Sequence, residues 1–213
     1  MENTCGFVHL HTHTMYSLLD GAIKPNDYIN AALEWGMGAA AMTDHGNMFG
    51  AIEFYVAAKD ANVKPVIGCE LYIAPGDRRD RETRGFGDET NYHLLLLAEN
   101  ETGYQNLVKL TSIGYTEGFY YKPRIDKETL RAFSEGVIAT SACLGGEVTQ
   151  ALMKRDRATA KKVVEEYASI FGPERFFIEL QNHGMPEQLE TNPVLVELAN
   201  EVGLGTVAAN DVH

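Results

Sequence analysis

Cysteine is scarce in this chain: Cys5, Cys69 and Cys143 are the only three among 213 residues. An odd number at wide spacing argues against a disulfide framework and for a reducing compartment. No run is apolar over enough length to span a bilayer. The opening Met1-Glu2-Asn3-Thr4 also lacks the basic start and long apolar stretch of a signal peptide. These absences lead to the expectation of a cytoplasmic protein without a membrane partner. Positive charge is in deficit as well, since 18 Lys and Arg face 30 Asp and Glu, for a formal net charge of -12. That is the wrong sign for a surface gripping DNA over a wide area. It does not exclude a nucleic acid substrate, because carboxylates that hold cations acquire a local positive field. Internal repeats, low-complexity tracts and long blocks of one charge are missing too, which argues against extensive disorder.

What remains is ample material for a core, with 45% hydrophobic and 9% aromatic residues in a length that suits one large domain. Seven short apolar runs recur, at 7–13, 39–44, 64–74, 92–99, 137–142, 175–181 and 206–211. Most are followed by helical periodicity, the pattern of repeated βα units, and continuous apolar runs suit parallel strands covered on both faces. A helix is expected over 25–35, stopping at Gly36, and another over 47–61. Asn192 and Pro193 read as the cap and first residue of a helix ending at Gly203. Two longer connections interrupt this rhythm. One, 75–91, carries four arginines; the other, 117–128, interleaves aromatic and basic residues, and each reads equally as a solvated loop or a substrate-facing one.

Side chains able to bind metal fall mainly at strand ends. His11 and His13 close the first run, Asp44 and His45 the second, Cys143 follows the fifth, and Asp211 and His213 close the last; Glu70 lies within the third and His93 begins the fourth. In parallel α/β folds active sites gather at the carboxyl ends of strands, so these distant residues are expected on one rim. Residues two apart on a strand point the same way, which unites His11 with His13 and Asp211 with His213. The two pairs become neighbours only if the sheet closes, which favours a barrel over an open doubly wound sheet. Singly, each motif has an ordinary reading, and Asp44 in TDHG suits a turn that hydrogen-bonds nearby backbone. Together they would otherwise be unexplained buried charge. Imidazole, carboxylate and one thiolate suit zinc, manganese or iron, and cations about 4 Å apart are the usual clamp for phosphoryl oxygens. Cys69 should face away from Glu70 and pack. His9 reads as a core residue of the barrel and His183 as an unassigned outer candidate.

The stretch HTHTMYS (11–17) resembles the first motif of the PHP (polymerase and histidinol phosphatase) superfamily. SLLDGA, MTDHGNMFGAIEFY, KPVIGCELYIAPG, EGFYYKPRID, SACLGGE and AANDVH are similar to the PHP domain of bacterial DNA polymerase III alpha subunits. The resemblance implies an α/β fold, a distorted seven-stranded (β/α)7 TIM-like barrel over 1–213. It implies up to three divalent metals on nine side chains: His11, His13, Asp20, His45, Glu70, His93, Cys143, Asp211 and His213. Asp20 enters through the resemblance alone. Asp44, Asp211 and His213 are the expected catalytic residues. The implied activity is a metal-dependent phosphoesterase acting as a 3′–5′ exonuclease on a DNA end, with the remaining polymerase domains or replisome subunits as partners. A silent, metal-braced docking module and a histidinol-phosphatase-like enzyme are the alternatives. Family alpha subunits are far longer, so the chain is expected to be an N-terminal fragment lacking its last helix and the polymerase carboxylates.

Overall fold

Leucine, isoleucine and alanine runs need cover on both faces, and helices supply it after most strands. The computed structural model describes residues 6–81 and 91–213. In chain order its elements are α1 (Pro25–Glu34), β1 (Ala39–Met42), α2 (Ala51–Asp60), β2 (Lys64–Ile73), β3 (Tyr92–Ala98) and α3 (Glu101–Thr116). There follow β4 (Phe119–Tyr120), β5 (Lys122–Ile125), α4 (Lys127–Ala132), β6 (Val137–Thr140), α5 (Glu147–Met153), α6 (Arg157–Phe171), β7 (Phe176–Leu180), α7 (Pro186–Val202) and β8 (Gly205–Ala208).

Six strands pair in the order β1, β2, β3, β6, β7, β8. The segment before α1 joins the two ends of that series. His13 N–H donates to the Val212 carbonyl at 2.7 Å, Val212 N–H to His11 at 3.1 Å, and Thr43 N–H to Thr12 at 2.9 Å. The ring therefore closes through a seventh stave, and the fold is the distorted seven-stranded barrel that the resemblance implied and the spacing of the two ligand pairs favoured. This stave differs from expectation in being no regular strand. The chain bends at His11 and makes isolated bridges, Thr12 to Val212 and Thr14 to Ile23.

A second difference decides the geometry of the site. β3 runs antiparallel to both β2 and β6, whereas all-parallel strands were expected. Reversal brings its first residues to the rim where the other strands end, so His93 arrives there from the start of a strand. Alternation along β2 then separates Glu70 from Cys69, Leu71 and Ile73, which join Leu94 and Leu96 in the main core under the helices. Each fully buried leucine there contributes about 1.5–3 kcal/mol. A smaller core formed by Tyr28, Ile29, Met42 and Phe54 seats α1 and α2.

The 117–128 connection is the β4–β5 hairpin, docked parallel on the end of β2 through Tyr72 to Arg124 and Ile73 to Ile125. Arg124 is fully buried, and its guanidinium donates to the carbonyls of Asp80 at 2.6 Å and Gly118 at 3.3 Å. Arg78 donates to Glu117 and Asp126, Arg79 to Glu117, and Arg81 to the Phe119 carbonyl. Three of the four arginines in 75–91 thus tie their own segment to the hairpin; Arg84 lies outside the described residues. The last helix starts earlier than expected, at Pro186, and Pro193 sits inside it. An interior proline leaves the carbonyl four residues back without its donor, here Leu189, whose side chain is exposed on the solvent side. Asn192 is no cap; its amide donates to Gln181 O at 2.8 Å. Among the described residues, no helix is long and apolar enough to cross a membrane.

Candidate metal centre

The turn after the first stave is built around one carboxylate. Asp44, at the end of the β1 run, accepts from Thr14 N–H at 2.6 Å, the Thr14 hydroxyl at 2.8 Å and the Ser17 hydroxyl at 2.7 Å. Asp44, expected among the catalytic residues, thus accepts three hydrogen bonds from the 14–17 turn. It acts on the cluster indirectly: the Ser17 oxygen also accepts from His13 Nδ1 at 2.9 Å and from His45 N–H at 3.1 Å. Gly21 closes the turn, because a Cβ there would lie 2.1 Å from the Thr14 carbonyl oxygen. Asp20, just before it, is thereby held over the rim.

Both barrel histidines are fixed from behind. Donation by His13 Nδ1 to Ser17 leaves its Nε2 as the lone-pair nitrogen. His11 Nδ1 donates to Glu179 at 2.7 Å, which turns its Nε2 toward the cluster. Their Nε2 atoms lie 3.4 and 3.2 Å from one Asp211 carboxylate oxygen, and 3.5 and 3.4 Å from Glu70 oxygens. Across Glu70, His45 Nδ1 approaches to 2.8 Å and His93 Nδ1 to 3.1 Å. The Cys143 sulfur stands 3.7 Å from both Glu70 and His93. Asp20 lies 2.8 Å from His45 and 3.0 Å from His213, completing one contiguous group of nine side chains. Within it are three overlapping triads with ligand atoms mutually within 4.8 Å: His11–His13–Glu70, His45–Glu70–His93 and His13–His45–His213.

The group has the marks of a cation site. Among the described residues, six buried side-chain nitrogen or oxygen atoms lack a hydrogen bond. Five are here: His11 Nε2, His13 Nε2, His45 Nδ1, Glu70 Oε2 and Asp211 Oδ1. Each such atom costs about 1–3 kcal/mol when left unsatisfied, and five converging on one space suit a shared cation. Electrostatics agree. Burial opposes charge on Glu70, but His93 and His11 outweigh it and hold its carboxyl well below the usual range. Burial also disfavours the His11 imidazolium, yet Glu179 and Glu70 hold its pKa well above normal, while at His13 burial prevails and lowers it. Asp211 stays ionised at lower pH than usual, burial notwithstanding, through His13 and His11. Burial, with Glu70 and Asp211, pushes the Cys143 thiol up, and a bound cation would reverse that effect.

Other expected residues fall elsewhere. Cys69 is fully buried in the main core and donates to Asp44 O at 3.2 Å. His9 is half-buried rather than in the fully buried core, its ring beside those of Phe7 and Trp35. His183 Nε2 donates to Asn210 O at 2.7 Å while Nδ1 accepts from Gln188, which braces the backbone entering Asp211. Glu179 escaped sequence reasoning. Its one signal was a carboxylate inside the apolar run RFFIELQ, where a buried charge needs a partner.

Known proteins resemble the chain over nearly its whole length. Residues 9–183 match the family described as PHP domain. The DNA polymerase III subunit alpha of Thermus aquaticus is 53% identical over 216 residues, covering 100% of this chain and 18% of its own length. That of Deinococcus radiodurans is 51% identical over 213 residues, covering 97% of this chain and 16% of its own length. The chain therefore spans under a fifth of these relatives. An amidohydrolase structure from Chromobacterium violaceum, with bound sulfate and no metal, shares the fold at TM-score 0.61 and 15% identity, over 97% of this chain and 87% of that one. The chain belongs to the PHP domain family, in the branch carried by bacterial DNA polymerase III alpha subunits.

Proposed function

We propose that residues 1–213 act as one phosphoesterase domain of a cytoplasmic DNA polymerase III alpha subunit, using divalent cations to remove nucleotides from a DNA 3′ end. The observation that carries this reading is the convergence of five buried ligand atoms, none of them in a hydrogen bond, beside an open cleft. The cleft, about 520 Å³ in volume, is lined by Asp20, His45 and His93 of the same cluster. Zinc, manganese or iron, up to three ions, suits this mixture of imidazole, carboxylate and thiolate.

When bound, such cations lower the pKa of water and neutralise charge developing at phosphorus. The side chains divide the work around them. His11, His13, Glu70 and Asp211 form the buried side of the cage. His45, His93 and Cys143 flank Glu70 on the other side. Asp20 and His213 are the most exposed of the nine, and Asp20 faces the cleft. Asp20 orients the phosphodiester there, and Asp211 and His213 are the proposed catalytic residues. Asp44 positions His13 through Ser17. The remaining polymerase domains and replisome subunits are the proposed partners. Nucleotide release from a labelled 3′ end with manganese, compared between wild type and Asp211→Ala, tests the reading. Loss in the variant is expected; equal rates would refute it.

A second reading rests on where the cluster sits. His11 and His13 come from the first stave, Asp211 and His213 from the chain following the last strand, so cations there would brace the ring closure itself. On that reading chelation lowers the melting temperature of a protein that cleaves no phosphoester.

A further inference from the structure

The cleft beside the metal centre has an aromatic side that the metal chemistry does not use. Phe49, Tyr115 and Tyr121 line it and are 65%, 42% and 67% exposed. The Phe49 and Tyr115 rings lie 6.2 Å apart. Leu19, 108% exposed, lines the same cavity from the turn that carries Asp20. Leu19 and Tyr121 both adopt left-handed backbone, with φ of 66° and 59°. Such a conformation is unfavourable for side chains of this kind, and here it holds two apolar groups in water at the mouth of one cleft. Lys122 adds a cation at the same place, its ammonium 5.2 Å from the centre of the Tyr72 ring.

We propose that this aromatic wall is a base-stacking subsite, which holds the terminal nucleobases of a single-stranded nucleic acid whose phosphodiester lies at Asp20, His45 and His93. The inference rests on the phosphoester reading and names the substrate class within it. Three features of the cleft select this occupant. Its volume of about 520 Å³ is of the size that encloses a small ligand rather than a duplex. Exposed rings beside a lysine are the composition of single-strand grooves, where every base offers a π-face and the cation meets the backbone. The wall is continuous with the cluster, because the same cavity reaches both the rings and three proposed metal ligands. A small phosphate ester would use the metal side and leave the rings idle. The chain's acidity confines attraction for a polyanion to such a local site.

The test compares two fluorescent oligonucleotides on the manganese-loaded chain by anisotropy. Each has a phosphorothioate as its terminal linkage; one ends in an ordinary nucleotide and the other in an abasic one. The wild type is expected to bind the intact end about 5- to 150-fold more tightly, the range of one base–aromatic stack. Tyr121→Ala should shrink that ratio, and Tyr121→Phe should keep it. Equal affinity of the wild type for both ends overturns the proposal and assigns the rings to a protein contact. Hydrolysis of bis(p-nitrophenyl) phosphate by the same preparation separates the two ideas. Discrimination without hydrolysis refutes the phosphoesterase reading and supports the stacking wall, and hydrolysis without discrimination does the reverse.

Discussion

His11 Nδ1 lies 2.7 Å from a Glu179 carboxylate oxygen, and both side chains are fully buried. Glu179 is held in turn by the Thr140 hydroxyl and by Gln181 Nε2 at 2.8 Å. The carboxylate thus fixes which His11 nitrogen faces the cluster and makes it a better donor to a cation. Partners behind a ligand of this kind are worth about 10- to 100-fold in metal affinity. Glu179→Gln should weaken binding by that factor in a chelator-competition titration. Unchanged affinity would show that Glu179 only fills space.

Ser17 joins the turn carboxylate to the cage. Its hydroxyl is the one group touching Asp44, His13 Nδ1 and His45 N–H together. Ser17→Ala strands buried polar atoms and should destabilise the fold by about 1–3 kcal/mol in urea unfolding. Metal affinity should fall with it, whereas a variant equal to wild type in both would deny the turn any role.

Metal removal should lower the melting temperature. A ligand that binds only the native state stabilises it by about 2.7 kcal/mol at a hundredfold excess over Kd. Scanning calorimetry before and after chelation should therefore show a lower transition, restored by added zinc or manganese. Coincident transitions would mean that the five unpartnered atoms are satisfied by water.

Away from the cluster, Asp126 offers a pH test of the hairpin lock. Burial would raise its pKa, but the Thr129 hydroxyl and N–H, with the Arg78 N–H and guanidinium, hold it at about 2. A folded-state pKa below the unfolded one stabilises the protein above the unfolded value, near 3.8, and that contribution is lost as pH falls toward 2. Asp126→Asn should therefore melt well below wild type at pH 6, with the gap narrowing between pH 4 and 2. A constant gap would contradict the lock.

Most of the strands and the rim were legible because apolar runs and strand-end ligands have short-range signatures. Closure could be inferred from two pairs of residues with matching spacing. Reversal of β3 could not: an apolar run reads alike in either direction, and what turns it round is pairing with β2 and β6. The hairpin was hidden because Lys122 and Arg124 look like solvent-facing residues, though Arg124 is buried against backbone carbonyls. Pro193 misled in the opposite sense, since a proline tolerated mid-helix carries the same letter as one that starts a helix. Asp20 has no local spacing rule, and Glu179 matters only through a contact 168 residues away.

On the proposed reading, side chains from distant parts of the chain share a cluster of cations. Elemental analysis by mass spectrometry, on protein equilibrated with zinc or manganese and then desalted, tests it most directly. The proposed site predicts bound metal, up to three equivalents per chain, falling in His13→Ala, which two of the triads share. A wild-type protein that retains none would contradict the account.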